Sequence, residues 1–299
     1  MNFESKNGFL SAVWGPAAWH YLHVMSFSYP LDPTDDERRL FATLVFSLCH
    51  VLPCRACREG LIRNLDRVPL CADDLADRVA FAHWLYRLHD EVNRMLQKPT
   101  DLSFTQVGRR HLNARIGRMC IVYADRTPRR AHPTPRDSVG WACDASMRRA
   151  IATHRETRHR KWDAAFWLFV HCVAFNYPPE PTVEQRIQYR QFFACIFATT
   201  PADAEWSRRL RTIALEPASE WAIDARHFAN RHTLSKWVYD VHRVHVIDFR
   251  HALPLPKWEA FRISYEQYRA HCTAGTSHSH GGCLTSTSGS PAKCIIATR

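Results

Sequence analysis

The sequence predicts an all-α protein that holds two helical bundles in one chain. Glycine is scarce, at 10 of 299 residues, and no alternating strand pattern leads into an Asn-Gly turn. Apolar side chains instead recur at the spacing of helices. A chain of 299 residues is longer than one average domain needs. We therefore expect two cores, and a repeated set of aromatic and His positions supports this division.

The first bundle is predicted from four segments with helical spacing, at 17–26, 37–51, 54–65 and 73–96. The first segment places Trp19, Leu22 and His23 on one face. Pro53 ends the second segment, and Pro99 follows the fourth, because proline and the residue before it disfavour a helix. Four helices joined by short loops predict a compact four-helix bundle.

The aromatic pattern of this bundle recurs later in the chain. The first matched set is Trp14, Trp19, His23, Tyr29 and Pro30, which recurs 148 positions later as Trp162, Trp167, His171, Tyr177 and Pro178. The second set is Trp84, Tyr86 and His89, which recurs 153 positions later as Trp237, Tyr239 and His242. A loop that is five residues longer in the second half explains the change of offset. Shared apolar spacing between unrelated bundles is the alternative explanation.

The repeat suggests boundaries for the domains. We expect a first domain at 1–125, a Pro-rich linker at 126–154, a second bundle at 155–270 and a tail rich in Ser, Thr, Gly and His at 271–299. The second bundle is degenerate, since Ala202 and Glu205 stand where Cys54 and Cys57 would fall. The two bundles would then form a pseudo-dimer within one chain.

Composition limits the classes of function. The N-terminus does not resemble a secretory signal, and no apolar run is long enough to span a membrane, so we expect a soluble protein that is not secreted. The net charge of +11 allows an acidic partner, but the Arg residues are scattered, and a solvated basic surface explains them better than nucleic-acid binding. Eleven cysteines in an unexported chain favour redox chemistry or metal binding.

The Cys54-Arg-Ala-Cys57 segment is the first candidate for redox chemistry. If Cys54 begins a helix, the unpaired backbone N–H groups of the first turn favour its thiolate, which is the attacking species in disulfide exchange. Two ordinary buried thiols, or two zinc ligands, would fit the same spacing. The C-x-x-C segment alone does not decide between these alternatives.

A second set of residues suggests a flat ligand. Trp19 and His23 are four residues apart, as are His89 and Asn93, and Lys98 follows one turn later. Together they offer aromatic surface for a ring system and polar groups for ribose, carbonyl and phosphate oxygens. Each residue alone has a simpler explanation, as a core aromatic, a core histidine or a solvated charge.

The combined pattern resembles the Erv/ALR sulfhydryl oxidases. The residues that carry the resemblance are Trp14-Gly-Pro-Ala-Ala-Trp19-His-Tyr-Leu-His23, Tyr29-Pro30, Cys54-x-x-Cys57 and His89-Asp-Glu-Val-Asn93-Arg-Met-Leu-Gln-Lys98-Pro99. Their order and spacing agree with the family over about residues 10 to 100, a third of the chain. The resemblance implies a small helical bundle that binds FAD beside the C-x-x-C.

The family pattern also implies roles for single residues. Cys57 would lie nearest the flavin, and Cys54 would be the exposed member that exchanges with incoming thiols. The implied reaction oxidises two thiols of a protein substrate to a disulfide and reduces O₂ to hydrogen peroxide, with the flavin carrying the oxygen chemistry. The implied FAD-binding residues are Gly15, Pro16, Trp19, His23, Tyr29, Cys57, His89, Val92, Asn93, Leu96 and Lys98.

The chain departs from the family pattern in several ways. Cys71 lacks the partner cysteine of the usual staple, because Tyr86 stands at that position, and Asp90 replaces an Asn beside the motif His. No second C-x-x-C supplies the shuttle disulfide of the family, and the tail cysteines Cys272, Cys283 and Cys294 are the candidates for it. Unpaired thiols, or incidental metal binding with His271, His278 and His280, are the alternatives for these cysteines. Val246 replaces the required Asn in the second bundle, so we expect no FAD there.

The two-bundle arrangement resembles enzymes of large DNA viruses, which would place the activity in host cytoplasm, at the virus assembly site, and in virions. The second bundle would take the place of a family dimer partner, and a homodimer of whole chains is compatible with it. Two rival functions remain: a zinc-binding module of Cys49, Cys54, Cys57 and Cys71, with His50 as an alternative ligand, and a non-catalytic structural or nucleic-acid-associated protein. The zinc spacing is poor for paired knuckles, so we expect no metal site.

Overall fold

The computed structural model describes residues 8–99, 101–112, 162–201, 205–247 and 254–270, and every regular element in these ranges is helical. The first bundle contains α1 (Ser11–Phe27), α2 (Asp35–Val51), α3 (Arg55–Arg67), α4 (Arg78–Met95) and α5 (Phe104–Leu112). The second contains α6 (Trp162–Asn176), α7 (Val183–Ala198), α8 (Glu205–Leu215), α9 (Arg231–Ile247) and α10 (Trp258–Glu266). The predicted all-α fold is confirmed. The linker at 126–154 and the tail at 271–299 lie outside the described residues.

Several helix boundaries differ from the predictions for local reasons. α1 begins at Ser11 and includes Pro16. The amide that Pro16 lacks would have bonded to Ala12, and both residues are exposed, so water can satisfy that carbonyl. α4 begins at Arg78 because the Asp77 carboxylate caps the amides of Val79 and Ala80. The preceding segment, Asp73–Leu75, forms a short 3₁₀ helix instead.

The second bundle repeats the internal hydrogen bonds of the first. The Trp84 indole donates to the Val68 carbonyl, and the Trp237 indole donates to the Trp221 carbonyl. Each pair is sixteen residues apart. The five-residue insertion falls between the end of α8 at Leu215 and Trp221. The repeat predicted from aromatic spacing therefore extends to equivalent bonds.

The repeat also extends to the last helix of each bundle. The Tyr86 hydroxyl donates to the Leu102 carbonyl just before α5, and the Tyr239 hydroxyl donates to the Pro256 carbonyl just before α10. Neither α5 nor α10 was expected from the sequence. Both helices are only nine residues long, which is shorter than the roughly 10–12 residues from which spacing identifies a helix.

The two bundles pack through matched helices, since α1 lies against α6 and α2 lies against α7. This pairing is what a two-fold axis requires, because the same surface of each copy meets its counterpart. The Tyr21 hydroxyl donates across the interface to the Ile196 carbonyl at 3.2 Å, and its ring meets the edge of Phe166 at 5.0 Å. One continuous hydrophobic cluster spans both bundles, so the predicted two cores are joined.

Among the described helices, none combines the length and the apolar character that crossing a membrane requires.

Candidate redox site at the start of α3

Cys54 and Cys57 form a disulfide at the first turn of α3, with 5.1 Å between their Cα atoms. The chain bends at Leu52 and Pro53, where the Cys54 N–H donates to the Leu52 carbonyl at 2.7 Å, and Cys54 takes the N-cap position of α3 with φ −160° and ψ 122°. The Cys57 backbone N–H donates to the Cys54 sulfur at 3.2 Å. The positive end of α3 is therefore directed at this sulfur, as the sequence predicts, and favours negative charge on it.

The sequence-based expectation that Cys54 is the exposed member of the pair is wrong in this structure. Cys54 is only 3% exposed, whereas Cys57 is partly exposed. The segment Gly8–Phe9 covers Cys54: Gly8 pairs with it in an antiparallel bridge, and the Phe9 N–H donates to the Pro53 carbonyl at 2.7 Å. No local sequence signal could have shown this contact, because the covering segment lies over forty residues away in the chain.

Aromatic residues of α1 and α4 meet on one face of the first bundle. The Trp19 ring is stacked on the His89 ring, with centroids 3.9 Å apart and 6° between their planes. His23 Nε2 lies 2.9 Å from His89 Nδ1, which joins the two helices by a hydrogen bond. The structure therefore brings together three of the residues that the sequence singled out as a flat-ligand site.

The stacked pair is only partly buried and borders open space. Gly15, one turn before Trp19, is partly exposed, and a Cβ atom added to it would meet nothing within 4 Å. His89 and Asn93 lie one turn apart on α4 and are also partly exposed. We call these four residues, Gly15, Trp19, His89 and Asn93, the α1–α4 face. Its aromatic surface is accessible to a ligand.

Lys98 is held near Asn93 by the end of α4. The Lys98 N–H donates to the Asn93 carbonyl at 2.9 Å, and the Gln97 N–H donates to the Arg94 carbonyl at 3.1 Å. Gln97 has a positive φ of 55°. These features form a Schellman motif, which fixes the direction of the chain after the helix. The exposed Lys98 ammonium is thereby placed at the end of the α1–α4 face.

The remaining predicted contacts are placed differently. Val92 on α4 and Leu96, the residue after Met95 at its end, are partly exposed. Pro16 is exposed on α1, whereas His23 is buried beneath the stacked pair. Tyr29 does not lie on the α1–α4 face. It is fully buried, its hydroxyl donates to the Leu75 carbonyl at 3.0 Å, and its ring packs against Phe41 and Phe81. Its expected role as a cofactor contact is replaced by a role in the core.

Side chains that the sequence analysis missed fix α3 relative to α4. Arg67 on α3 pairs with the buried Glu91 on α4 at 2.9 Å. Gly60 on α3 is buried against Met95, whose methyl group would lie 3.4 Å from an added Cβ. Asp90, which departs from the family pattern, pairs with Arg94 at 2.7 Å. The helix that carries the disulfide therefore packs against α4 of the α1–α4 face.

The other described cysteines lack the environment of a redox pair. Burial raises the pKa of Cys49 and of Cys195 to about 11, and it raises the pKa of Cys172 further. Such thiols stay protonated near neutral pH and react slowly. Cys71 is exposed and is not bonded to another cysteine. Dithiol chemistry in the described part of the chain therefore falls to Cys54 and Cys57.

A zinc site is not supported by this geometry. Cys54 and Cys57 are joined to each other, so neither sulfur is a free thiolate ligand. Within the described ranges, no group of three or more His, Cys, Asp or Glu side chains converges on a point that could hold a metal ion.

The corresponding face of the second bundle is closed by aromatic packing. Trp167 is stacked on His242 at 4.0 Å, as Trp19 is on His89, but Trp167 is buried. Trp206 stands where Arg58 stands in the first bundle, and it packs against Trp167 and His245. His245 is fully buried and lies 2.9 Å from the Trp206 carbonyl. These side chains cover Trp167, whereas the equivalent Trp19 stays partly exposed.

Fold and site together define a helical-bundle protein with a C-x-x-C disulfide at the start of α3 and a half-open aromatic face on α1 and α4. Residues 16–111 match the model of the Erv1 / Alr family, so this segment is an Erv1/Alr domain. The match covers the first bundle only.

The relatives of this chain are similar over the same region. A probable FAD-linked sulfhydryl oxidase of Acanthamoeba polyphaga mimivirus is 31% identical over 80 residues, which cover 27% of this chain and 56% of the relative. FAD-linked sulfhydryl oxidase ERV1 of Oryza sativa is 34% identical over 85 residues, 28% of this chain and 42% of the relative. FAD-linked sulfhydryl oxidase ERV2 of Saccharomyces cerevisiae is 29% identical over 84 residues, 28% of this chain and 41% of the relative. The chain thus spans about half or less of each relative.

Proposed function

We propose that the first bundle binds FAD and that the chain is a thiol oxidase, which forms disulfides in protein substrates and reduces O₂ to hydrogen peroxide. The observation that carries the proposal is the Cys54–Cys57 disulfide at the start of α3, a helix that packs against α4 of the α1–α4 face. The names of the similar proteins, which are FAD-linked sulfhydryl oxidases, support it.

The residues present fit a flavin nucleotide. The stacked Trp19 and His89 rings offer a flat surface, the space beside Gly15 leaves room for a ring system, and the Asn93 amide supplies hydrogen-bonding groups. Lys98 offers a charge for phosphate oxygens. Bound FAD would supply a two-electron acceptor that passes the electrons to O₂.

The two cysteines have separate tasks in this proposal. A substrate thiolate attacks the Cys54 sulfur, forms a mixed disulfide and releases the Cys57 thiolate. A second substrate thiolate then attacks the substrate sulfur of this mixed disulfide, which forms the substrate disulfide, breaks the bond to Cys54 and leaves both cysteines reduced. Two electrons and two protons have then entered the site from two thiols, matching the reduction of O₂ to hydrogen peroxide. Closing the disulfide again needs Cys54 as a thiolate, which the Cys57 N–H favours.

The tail cysteines are proposed relays for protein substrates. Cys272, Cys283 and Cys294 lie outside the described residues, but the described chain ends beside the disulfide. The Ala270 N–H donates to the Gly8 carbonyl at 2.9 Å, and Gly8 pairs with Cys54. Cys272 follows two residues after Ala270. Replacing Cys272 and Cys283 by Ser should slow oxidation of protein thiols and spare small dithiols, whereas equal rates on both would remove the relay.

The oxidase itself is tested by the absorption spectrum of the purified protein and by peroxide production. We expect a flavin band in the visible range and thiol-dependent peroxide formation, both measured on the full chain. Cys57→Ser should abolish peroxide formation, while Cys71→Ser, which removes an exposed thiol away from the disulfide, should leave it unchanged. A colourless protein without peroxide formation would favour the non-catalytic structural alternative. Location in host cytoplasm or virions stays a prediction.

A further inference from the structure

The N-terminal segment Gly8–Leu10, which we call the strap, lies directly against Cys54. Gly8 pairs with Cys54, and the Phe9 N–H donates to the Pro53 carbonyl. Phe9 is 2% exposed and belongs to the same buried cluster as Cys54. A substrate thiol that is to reach the Cys54 sulfur therefore meets the strap first.

The conformation of the strap depends on glycine at its first residue. Gly8 has a φ of +92°, which side-chain-bearing residues rarely adopt. A Cβ atom added to Gly8 would collide with the Pro53 carbonyl oxygen and would lie 3.0 Å from Asn176 Oδ1. The strap can therefore pair with Cys54 only because residue 8 has no side chain.

The second bundle holds the strap in place. The Leu10 N–H donates to the Tyr268 carbonyl at 3.0 Å, and the Ala270 N–H donates to the Gly8 carbonyl at 2.9 Å. Between them, the Arg269 guanidinium lies 4.8 Å from the centre of the Phe9 ring. The strap is thus held between Pro53 and Cys54 of the first bundle and residues 268–270 at the end of the second bundle.

Arg269 is itself fixed from the side of the second bundle. It is 1% exposed, it pairs with the buried Glu266, and it donates to the Phe175 carbonyl at 2.7 Å. A buried charge with several partners is costly to move, because breaking the contacts leaves the charge unpaired. The second-bundle side is consequently firm, and lifting the strap must break its backbone hydrogen bonds to Pro53, Tyr268 and Ala270.

We propose that the strap is the specificity-determining element of the oxidase: it covers Cys54, and it must lift before a protein thiol can attack. A bulky substrate needs the whole strap displaced, whereas a small dithiol needs a smaller opening. The second bundle sets the cost of lifting through Arg269 and the backbone bonds at 268–270. A bundle without its own cysteines thereby controls access to the pair in the first.

The inference rests on the proposed function only in naming Cys54 as the entry thiol. Its test uses alkylation of the anaerobically reduced full chain by iodoacetamide, with each cysteine quantified by mass spectrometry. Alkylation needs neither FAD nor O₂, so an inactive protein would still report whether the strap shields Cys54. The exposed Cys71 in the same sample serves as the reference for reagent reactivity.

The variant Gly8→Ala should displace the strap and speed alkylation of Cys54 at least about tenfold, which corresponds to about 1.4 kcal/mol. The rate at Cys71 should not change. Gly108→Ala is the matched control, because its Cβ would lie 3.6 Å from Phe27, an ordinary contact. In an active protein, Gly8→Ala should also raise kcat/KM for protein thiols more than for dithiothreitol. A Cys54 rate within about twofold of the native chain would overturn the proposal.

A measurement on the native chain covers the case in which Gly8→Ala does not fold. Hydrogen exchange of the Phe9, Leu10 and Ala270 amides reports lifting of the strap directly. We expect the protection factor of the Phe9 amide to match the factor by which Cys54 reacts more slowly than Cys71. A Phe9 amide protected like the helical core, alongside a Cys54 that reacts as fast as Cys71, would refute the strap as a gate.

Discussion

The Trp19 ring lies flat against the His89 ring, with 3.9 Å between the ring centroids and the pair partly exposed. The second bundle builds the same stack from Trp167 and His242 at 4.0 Å but buries its tryptophan under Trp206. One arrangement has thus been kept twice, once open to a ligand and once filled by protein. The chain therefore offers matched variants in which one copy serves as control for the other.

Trp19→Ala should remove FAD from the protein, while Trp167→Ala should not. The first change deletes the flat surface of the α1–α4 face, so the flavin should be lost on desalting. The second deletes a buried indole and should lower the free energy of unfolding by about 3–5 kcal/mol. Flavin absorbance after desalting and urea denaturation measure the two effects. Loss of flavin in the folded Trp167→Ala variant would mean that the cofactor lies in the second bundle, against the proposed site.

Tyr29→Phe should lower stability without removing FAD. Its hydroxyl donates to the Leu75 carbonyl, and that of Tyr177 donates to the Phe228 carbonyl at 2.9 Å. Each hydrogen bond contributes about 1 kcal/mol. We expect Tyr29→Phe and Tyr177→Phe to cost similar amounts in urea denaturation, with flavin content unchanged. Release of flavin from Tyr29→Phe alone would restore its expected role as a cofactor contact.

Arg58 ties the loop before the disulfide to α3. Its Nη1 donates to the Leu52 carbonyl at 2.6 Å, and burial lowers the pKa of its guanidinium. Arg58→Met removes a hydrogen bond from a charged donor, although the Leu52 carbonyl keeps the Cys54 N–H at 2.7 Å, and should cost about 1–3 kcal/mol in the free energy of unfolding. Arg63→Met, at an exposed position of the same helix, should stay within about 0.5 kcal/mol of the native chain. Equal effects of both changes would show that the bond contributes nothing.

Stability should fall as the pH is lowered below about 6.5, the unfolded pKa of His. Burial, aided by Arg87, lowers the pKa of His83 to about 4, and burial lowers that of His171 to about 3. Below pH 6.5 the unfolded chain therefore binds protons that the folded chain does not bind. The stabilisation from these neutral, buried His side chains is complete above their unfolded pKa and is lost as the pH falls towards their folded pKa. Each such residue adds a slope of up to about 1.4 kcal/mol per pH unit.

His83→Gln tests this assignment, because His83 lies between Phe104 and Tyr86 in the first bundle, away from the second. Urea denaturation near pH 6 and near pH 5 gives the slope, since most carboxylates stay ionised in this range. The variant should show a shallower dependence than the native chain. An unchanged slope would mean that His83 takes up its proton in the folded state as well.

Local signals predicted most of the fold. Helical spacing, Pro53 and the flanking turns located α1 to α4, with errors of up to six residues at their ends. The matched Trp, Tyr and His positions indicate the second bundle, and the structure locates the five-residue difference of offset between Leu215 and Trp221. These features depend on residues close together in the chain, where side-chain spacing and backbone preference act directly.

The position of the strap over Cys54 could not be predicted from local signals. It joins Gly8 to Cys54 and Leu10 to Tyr268, contacts that only the packed bundles create. The family pattern even suggested the opposite exposure for the two cysteines. The prediction that Tyr29 contacts the cofactor is wrong for a related reason. The place of Tyr29 in the motif does not reveal that its ring packs in the core.

The central claim is that only the first bundle holds FAD, beside the Cys54–Cys57 disulfide. Flavin quantification against protein concentration for the purified full chain tests it most directly. Our account predicts one FAD per chain, because the matching face of the second bundle is filled by Trp206 and His245. Two FAD per chain would show that the second bundle also binds the cofactor, and none would contradict the oxidase assignment.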